Sequence, residues 1–250
     1  MMFPEKKIKL IALDMDGTLL GSNMDVSPEN AESIKRAHEH GIEVVLSTGR
    51  MMLTAGKYAE DLGLKSYLVT VNGSEVWHTD GSLVDRQLLD VEFMELMRDL
   101  TDEHKTHFWA ASVDKVWNAE LPEKLDEYEW MKFGFDVEDD EVREKIRAVL
   151  SGKEGLEISN SSLKNLEINA AGINKAAALK KVCNRLGITM DEVMAVGDSL
   201  NDLAMIKEAG IGVAMGNAQD FVKEHADFVT SSNLEHGVAQ AIDLAIRAGR

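Results

Sequence analysis

Two acidic residues stand two positions apart directly after the first apolar run of the chain. Residues 8–13 predict a short strand buried on both faces, and Asp14 and Asp16 follow it, just before Gly17. Carboxylates this close repel each other, so one has a raised pKa or the pair binds a cation, for which Mg²⁺ with its oxygen ligands is suited. One Asp can attack phosphorus while the other protonates a leaving group. The alternative is an Asp-rich turn without a catalytic role.

A hydroxyl and a basic side chain follow the second predicted strand, residues 44–46. The segment reads Ser47-Thr48-Gly49-Arg50. A hydroxyl and successive backbone N–H groups ahead of a helix suit the oxygens of a phosphate group. Arg50 in this position either clamps an anion or caps the turn, and the segment alone does not decide between them.

A lysine and two more acids occur at corresponding places later in the chain. Lys175 opens a predicted helix over residues 174–186, where its charge opposes the helix dipole; it therefore points toward an anion or is a solvated surface residue. Asp198 and Asp202 follow a predicted strand over residues 193–196 and would share one face of a helix. They either cap that helix or complete a cluster of four carboxylates with Asp14 and Asp16.

The elements that must hold these segments alternate between strands and helices. Ser27 and Pro28 mark the start of the first helix, and a β-α-β-α-β pattern extends to residue 71 and returns after residue 172. Strands are predicted at residues 8–13, 44–46, 67–71, 193–196, 211–214 and 228–229, and helices at residues 28–40, 52–62, 174–186, 200–208, 218–225 and 234–246. Ligands bind at the carboxyl ends of strands in such sheets, so we expect the four segments to meet at one edge.

The middle of the chain carries a different pattern. Hairpins are predicted at residues 75–78 with 82–85, 108–111 with 115–118 and 156–160 with 163–168, and helices at residues 91–104 and 138–150. We therefore predict an α/β protein: a Rossmann-like, doubly wound parallel sheet formed by residues 1–85 and 172–250, with a smaller α+β cap domain inserted at residues 86–171.

In their order along the chain, these segments resemble the motifs of the haloacid dehalogenase superfamily of phosphatases. The matching residues are Asp14-x-Asp16-Gly17-Thr18, the hydroxyl of Thr48, Lys175, and Gly197-Asp198-x-x-Asn201-Asp202. Three further features are similar to the Cof-type (subclass IIB) sugar-phosphatase branch, in which the cap lies between the second and third motifs. They are the sequence Ser47-Thr48-Gly49-Arg50, the segment Val71-Asn72-Gly73 and the segment Met215-Gly216-Asn217-Ala218.

The resemblance implies a role for each matching residue. Asp14 is the implied nucleophile, and Asp16 is the acid that protonates the leaving alcohol and then activates water. The implied phosphate-binding groups are the backbone of Met15 and Gly49 together with Thr48, Arg50, Lys175 and Asn201. The implied Mg²⁺ ligands are Asp14, the main-chain carbonyl of Asp16, and Asp198, supported by Ser199 and by Asp202, which acts directly or through water. An acid at position 16 also argues against carbon–halogen hydrolysis.

Composition excludes several other classes of protein. The chain has 250 residues, 27 Lys and Arg against 44 Asp and Glu, and a net charge of −17. This charge argues against nucleic-acid binding and against binding to acidic membranes. The single cysteine, Cys183, excludes an internal disulfide. No apolar run reaches the ~18 residues of a membrane span, and residues 1–7 do not resemble a signal peptide, so we predict a cytoplasmic protein.

The sequence thus predicts a Mg²⁺-dependent phosphatase that acts on a small phosphorylated metabolite through an aspartyl-phosphate. Sugar phosphates, phosphorylated flavin precursors and pyridoxal phosphate all remain open as substrates. A phosphosugar mutase of the same superfamily is the first alternative. A phospho-accepting module like response-regulator receivers is the second, although such modules are about half this length and carry the acceptor Asp on a later strand. The sequence does not indicate the oligomeric state.

Overall fold

The computed structural model describes residues 7–248. The interpretation of the N-terminal segment therefore lies almost wholly outside the described residues, as do the outermost residues of the predicted core, 1–6 and 249–250. Within residues 7–248, no helix combines the length and the apolar character needed to cross a bilayer.

Strands and helices alternate along the described chain. The strands are β1 (Leu10–Leu13), β2 (Glu43–Ser47), β3 (Tyr67–Thr70), β4 (Glu75–His78), β5 (Leu83–Arg86), β6 (His107–Ser112), β7 (Val116–Asn118), β8 (Trp130–Asp136), β9 (Leu156–Ser159), β10 (Asn165–Ala170), β11 (Val193–Gly197), β12 (Ile211–Ala214) and β13 (Phe228–Val229). The α-helices are α1 (Pro28–Glu39), α2 (Met52–Asp61), α3 (Val91–His104), α4 (Asp140–Ser151), α5 (Lys175–Leu186), α6 (Leu203–Glu208), α7 (Asp220–His225) and α8 (Gly237–Ala248).

Eight strands form one sheet, here called the core sheet, in the order β13-β12-β11-β1-β2-β3-β4-β5. The strands from β13 to β3 are parallel, whereas β4 and β5 form the predicted hairpin and extend the sheet in antiparallel fashion. Leu13, the last residue of β1, pairs with both Leu46 and Val196. Because this register aligns the strand ends, the residues that follow β1, β2 and β11 emerge at one edge of the sheet.

Both faces of the core sheet are covered, as the wholly apolar strand β1 predicts. Alternate residues of β1 point to opposite sides, so Ile11 packs into one buried apolar cluster and Leu10 into another. The Ile11 cluster includes apolar residues of α1, α2 and α8, and the Leu10 cluster includes those of α5. The first helix begins as predicted, with Ser27 Oγ accepting the backbone N–H of Asn30. The predicted α/β fold with a doubly wound parallel sheet is confirmed.

The remaining five strands form a separate antiparallel sheet, here called the cap sheet, in the order β7-β6-β8-β10-β9. It packs with α3 and α4 around an apolar cluster of its own, which includes Phe133, Trp130 and Ile146. Its central strand, β8, is absent from the sequence-based prediction, which left residues 130–136 without an element. The predicted helix at 138–150 also begins two residues later, because Asp139 is its N-cap and accepts the N–H groups of Glu141 and Val142.

Candidate active site

Three carboxylates and one ammonium group meet at the edge of the core sheet where β1 and β11 end. Asp14, Asp198 and Asp202 each offer an oxygen atom within 4.8 Å of the others. Lys175 Nζ donates to Asp14 Oδ1 and to Asp202 Oδ1, at 2.6 Å in both cases. The Lys175 side chain is 0% exposed, so the interpretation of this residue as a solvated surface lysine is wrong. As predicted, it points toward an anion.

Burial and mutual repulsion dominate the electrostatics of this cluster. Burial raises the pKa of Asp14 well above its usual range, repulsion from Asp202 and Asp198 adds to the effect, and Lys175 opposes it. Burial and the charge of Asp202 likewise raise the pKa of Asp198, to about 7. Burial disfavours the charged form of Lys175, but the charges of Asp14 and Asp202 outweigh it and raise its pKa. The cluster therefore holds more carboxylates than one lysine can balance.

Hydrogen bonds from the backbone, and not a shared helix face, bring Asp198 and Asp202 together after β11. Asp198 precedes the helical turn at residues 200–202, so the prediction that it shares a helix face with Asp202 is wrong. Instead, Asp202 Oδ2 accepts the backbone N–H groups of Asp198 and Ser199, at 2.9 and 3.1 Å. This bonding folds Asp202 back toward the strand end. A Cβ atom at Gly197 would lie 2.3 Å from Asp202 Cγ, so glycine is needed for that approach.

The loop after β1 reaches Asp198 through a residue that must be glycine. Gly17 has a φ of +81°, and a Cβ atom there would lie 2.6 Å from Asp198 Oδ2. Thr18 Oγ1 donates to the other oxygen, Oδ1, at 3.3 Å. Ser199 Oγ lies 3.0 Å from Asp198 Oδ2 and 3.1 Å from the Ser161 carbonyl. Ser199 thus supports Asp198 and also contacts the loop between β9 and β10.

Asp16 stands apart from the other three acids. Its side chain is 45% exposed and pairs with Arg50, whose Nε and Nη2 lie 2.7 and 2.5 Å from its two oxygens. The cluster therefore contains three carboxylates and not the expected four, because the Asp16 side chain pairs with Arg50 near the surface. Arg50 does clamp an anion, as one interpretation held, but in this structure the anion is Asp16.

The segment after β2 is partly buried and is held by hydrogen bonds. Thr48 N–H donates to the Val69 carbonyl at 2.9 Å, and Thr48 Oγ1 accepts the N–H of Arg50 at 3.2 Å. The Arg50 carbonyl accepts the N–H of Val71 at 2.9 Å. Among residues 7–248, neither the Gly49 N–H nor the Thr48 hydroxyl hydrogen has an acceptor. Two hydrogen-bond donors of this segment are therefore available to a ligand.

A cavity of about 240 Å³ adjoins these groups. Of the residues singled out by sequence, it is lined by Asp14, Asp16, Gly49, Arg50, Asp198, Ser199 and Asn201. Thr48, Lys175 and Asp202 are fully buried beside it, and the Met15 side chain packs into the core, leaving only its backbone for the site. Asn201 Nδ2 donates to Asn72 Oδ1 at 3.3 Å, while its own Oδ1 is buried and has no hydrogen-bond partner among residues 7–248.

Three residues of the predicted cap segment that the sequence-based search missed complete the cavity wall: Lys132, Ser161 and Glu167. Lys132 lies in β8 and Glu167 in β10, each between two apolar residues, whereas Ser161 lies in the loop between β9 and β10. A charged residue between apolar residues of a strand is the signal that would have found Lys132 and Glu167, since charged residues are rarely buried without a partner. All three are polar, so the predicted cap segment presents a hydrophilic surface to whatever occupies the cavity.

The three carboxylates fit a divalent cation with oxygen ligands. Asp14 and Asp198 line the cavity and have raised pKa values, and Asp14 Oδ2 makes no hydrogen bond within the described residues. A cation beside them would offset the charge that Lys175 leaves unbalanced. Both oxygens of Asp202 are already occupied by three donors, which favours a supporting role for this residue.

The family of this chain follows from a comparison with known proteins. The model of the haloacid dehalogenase-like hydrolase family matches residues 11–144 and 118–242. A 5-amino-6-(5-phospho-D-ribitylamino)uracil phosphatase of Bacillus subtilis, YcsE, is 56% identical over 94% of both chains. The protein belongs to the haloacid dehalogenase-like hydrolases. It is a phosphatase of the Cof type, and this excludes the receiver-like signalling module.

Solved structures agree with this assignment. A haloacid dehalogenase-like hydrolase from B. subtilis superimposes with a TM-score of 0.86 at 28% identity, over 94% of this chain and 99% of the other. The subclass IIB sugar phosphatase BT4131 superimposes with a TM-score of 0.84 over 94% of this chain and 98% of its own, at 22% identity, which shows a shared fold. The resemblance seen in the sequence motifs is confirmed.

Proposed function

We propose that this phosphatase hydrolyses a small phosphorylated metabolite through an aspartyl-phosphate on Asp14. The observation that carries the proposal is the way in which the Asp14 carboxylate is held. Lys175 fixes one carboxylate oxygen at 2.6 Å, while the other makes no hydrogen bond within the described residues, and the side chain lines the cavity. A carboxylate held by one oxygen presents the other to a phosphorus atom in a defined direction, which is the positioning that phosphoryl transfer requires.

Donors around the cavity hold the phosphoryl oxygens in this proposal. The Gly49 N–H and the Thr48 hydroxyl lack acceptors among residues 7–248, and Lys175 Nζ uses two of its three hydrogens on carboxylates. Arg50, the Met15 backbone and Asn201 act with them. Charge in the transition state of phosphoryl transfer spreads over the phosphoryl oxygens, so fixed donors lower the barrier without reorganising.

Asp16 supplies the proton to the leaving alcohol and later takes one from the attacking water. Both carboxylate oxygens of Asp16 are held by Arg50, so Asp16 can act as an acid only if this pair opens when substrate binds. The phosphate group of the substrate competes with Asp16 for the Arg50 guanidinium, because both are anions that fit its fork. Substrate binding thereby releases Asp16 for proton transfer.

The metal proposed for the site is Mg²⁺. Asp14, Asp198 and the main-chain carbonyl of Asp16 are its proposed ligands, with Ser199 and Asp202 supporting them. When bound, the ion neutralises charge on the phosphate and on the carboxylates. Asp202 orients the backbone of Asp198 and Ser199 through the hydrogen bonds described above.

The proposed substrate is a phosphate ester of a polyhydroxylated alcohol. Polar cap side chains line the cavity together with the carboxylates, and among them the Ser161 hydroxyl can hydrogen-bond to hydroxyl groups of a substrate. The relative YcsE is named for a substrate with a phosphorylated ribityl chain, which has this chemistry. We further propose that residues 1–85 and 172–250 form the catalytic core, that residues 86–171 form the cap that selects the substrate, and that the protein acts in the cytoplasm.

A phosphate-release assay tests this function. The panel contains 5-amino-6-(5-phospho-D-ribitylamino)uracil, several sugar phosphates and pyridoxal phosphate, each with Mg²⁺ and with EDTA. We expect the polyol and sugar esters to be hydrolysed fastest and only with Mg²⁺. Release of free phosphate separates hydrolysis from transfer to a sugar, the mutase reaction. Equal activity in EDTA, or pyridoxal phosphate as the best substrate, would contradict the proposal.

A further inference from the structure

The cap sheet holds the segment that carries the free Gly49 N–H. Both peptide groups that flank Gly49 are anchored through their carbonyls. The Thr48 carbonyl accepts the backbone N–H of Asn72 at 3.0 Å, and the Gly49 carbonyl accepts a hydrogen from Lys132 Nζ at 2.9 Å. Asn72 belongs to the core loop after β3, whereas Lys132 belongs to the cap sheet. The direction of the Gly49 N–H is therefore set from both domains.

A buried carboxylate joins these two anchors. Glu167 Oε2 accepts a hydrogen from Asn72 Nδ2 at 2.5 Å and lies 3.4 Å from Lys132 Nζ. Glu167 Oε1 accepts the hydroxyl of Ser161 at 2.8 Å. Burial opposes the charge of Glu167, but Lys132 and the hydrogen bonds from Asn72 and Ser161 outweigh it and lower its pKa. Lys132 and Glu167 are 5% and 4% exposed, so water does not compete for these contacts.

The arrangement leaves little freedom around Gly49. A Cβ atom at this position would lie 2.9 Å from Asn72 Oδ1 and 3.2 Å from Lys132 Nζ. The neighbouring core loop is also strained, since Val71 and Asn72 have φ values of +49° and +58°, and a β-branched residue rarely adopts such a conformation. Strained backbone persists only where its surroundings hold it. Part of that support comes from the cap, because Asn169 Nδ2 donates to the Val71 carbonyl at 3.1 Å.

We propose that Lys132 and Glu167 are positioning residues for phosphate binding, which act through the Gly49 carbonyl and Asn72 to aim the Gly49 N–H at the phosphoryl group. Docking of the cap then completes the phosphate site of the core, whichever alcohol the phosphate is attached to. The inference rests on the proposed function, because it takes the Gly49 N–H as a phosphate donor. A side chain that instead contacts the leaving group would affect each substrate differently.

Two variants and one control test this role. Lys132→Met removes the anchor, and the double variant Lys132→Met/Glu167→Gln removes both charges, so that no unpaired buried carboxylate threatens folding. Lys124→Met is the control, because Lys124 is an exposed cap lysine paired with Glu127. The measurements are the Kd of inorganic phosphate in Mg²⁺ by calorimetry, hydrogen exchange of residues 47–51, and KM and kcat for three phosphate monoesters.

We expect both Lys132 variants to bind phosphate about tenfold to a hundredfold more weakly, as the loss of a hydrogen bond to a charged group predicts. KM should rise by a similar factor for all three esters, with their ranking retained, and residues 47–51 should exchange faster. Lys124→Met should match the wild type in every measurement.

Several results would overturn the inference. An unchanged Kd for phosphate or unchanged exchange at residues 47–51 would do so, as would a changed ranking of substrates with unaltered phosphate affinity, which would place Lys132 against the leaving group. Wild-type protein that binds no phosphate would also overturn it. If the wild type binds phosphate, the Lys132 variants weaken that binding, and no ester is hydrolysed, then the proposed function fails while the positioning role stands.

Discussion

Replacing Lys175 by Met removes the only positive charge that contacts Asp14 and Asp202 within the described residues. Its ammonium group is bonded to Asp14 and Asp202 at 2.6 Å each, with the lysine 0% and the two acids 6% and 0% exposed. Removing one partner of a buried ion pair costs about 3–5 kcal/mol, because the other charge remains buried. Domains unfold at a cost of about 5–15 kcal/mol, so this is a large fraction of the total. At about 2–4 °C per kcal/mol for a chain of this size, Tm should fall by about 6–20 °C.

The same helix provides a matched control. Lys181 also lies in α5 and also pairs with a carboxylate at 2.6 Å, that of Asp85, but its side chain is 39% exposed. Exposed pairs contribute about 0–1 kcal/mol, so Lys181→Met should lower Tm by about 0–4 °C. Thermal unfolding in EDTA, followed by circular dichroism, compares the two variants with the wild type.

The double variant Lys175→Met/Asp202→Asn tests the cause of the loss. If the cost comes from unpaired buried charge, the double variant should lose less stability than the two single variants together. Mg²⁺ should restore part of the stability of Lys175→Met, since it supplies positive charge to the same carboxylates, but not its activity, because the donor to the phosphoryl oxygen stays absent. A Tm for Lys175→Met within 2 °C of that for Lys181→Met, roughly the effect of 1 kcal/mol at most, would refute this reasoning.

Three further outcomes are expected. Asp14→Asn should fold but lose turnover by orders of magnitude, because an amide is a poor nucleophile; more than about a tenth of wild-type activity in a phosphate-release assay would disprove the assignment. Asp202→Asn should regain part of its activity as Mg²⁺ is raised, by mass action on a weakened site, and a titration showing no such rescue would assign Asp202 another role. The pKa of Glu167 is lowered below its ordinary value of 4.5, so its charge stabilises the fold above that pH and the benefit is lost as the pH falls through the lowered pKa. Urea unfolding should therefore show a gap in stability between wild type and Glu167→Gln that is constant near neutral pH and shrinks in acid; a gap that widens in acid would show the opposite sign.

The core sheet could be predicted because its signals are local. Strands such as β1, with the sequence Leu-Ile-Ala-Leu, are uniformly apolar and uniformly buried, so the pattern and the burial coincide. Parallel pairing then aligns the strand ends, and the meeting of Asp14 with Asp198 follows from that register. The chemistry of the site could therefore be predicted once the strands were identified. The hydrogen bonds that position Asp202 could not.

Strand β8 could not be predicted because tertiary contacts explain its composition. Lys132 interrupts the apolar run of β8. It is tolerated there because its ammonium group pairs with Glu167 and donates to the Gly49 carbonyl. Gly134 weakens the strand signal, yet it pairs with Trp109 of β6, whose indole would lie 2.2 Å from any Cβ atom there. Glu167, Gly49 and Trp109 are all distant from β8 in sequence, so the local pattern gives no reason to expect a strand.

The pairing of Asp16 with Arg50 was also beyond the sequence. Spacing identified both residues as candidates for a site, but not which of several acids would receive the guanidinium. The choice depends on how deeply each side chain is buried. Lys175 is fully buried beside Asp14 and Asp202, whereas Asp16 lies near the surface, where Arg50 pairs with it. Relative depth of neighbouring side chains is a property of the assembled fold.

The position of β1 at the middle of the core sheet has a consequence during synthesis of the chain. Leu10 pairs with Val193, so the second neighbour of β1 is made long after β1 itself. At about 5–20 residues per second, the interval is roughly 10–40 s on the ribosome. Throughout that time one edge of an apolar strand lacks its partner, and such an edge can pair with other chains. The cap sheet has its own apolar cluster and is complete earlier, so it does not wait for β11. Substitutions in β11 should therefore lower the yield of protein in cells more than their effect on the finished fold would suggest.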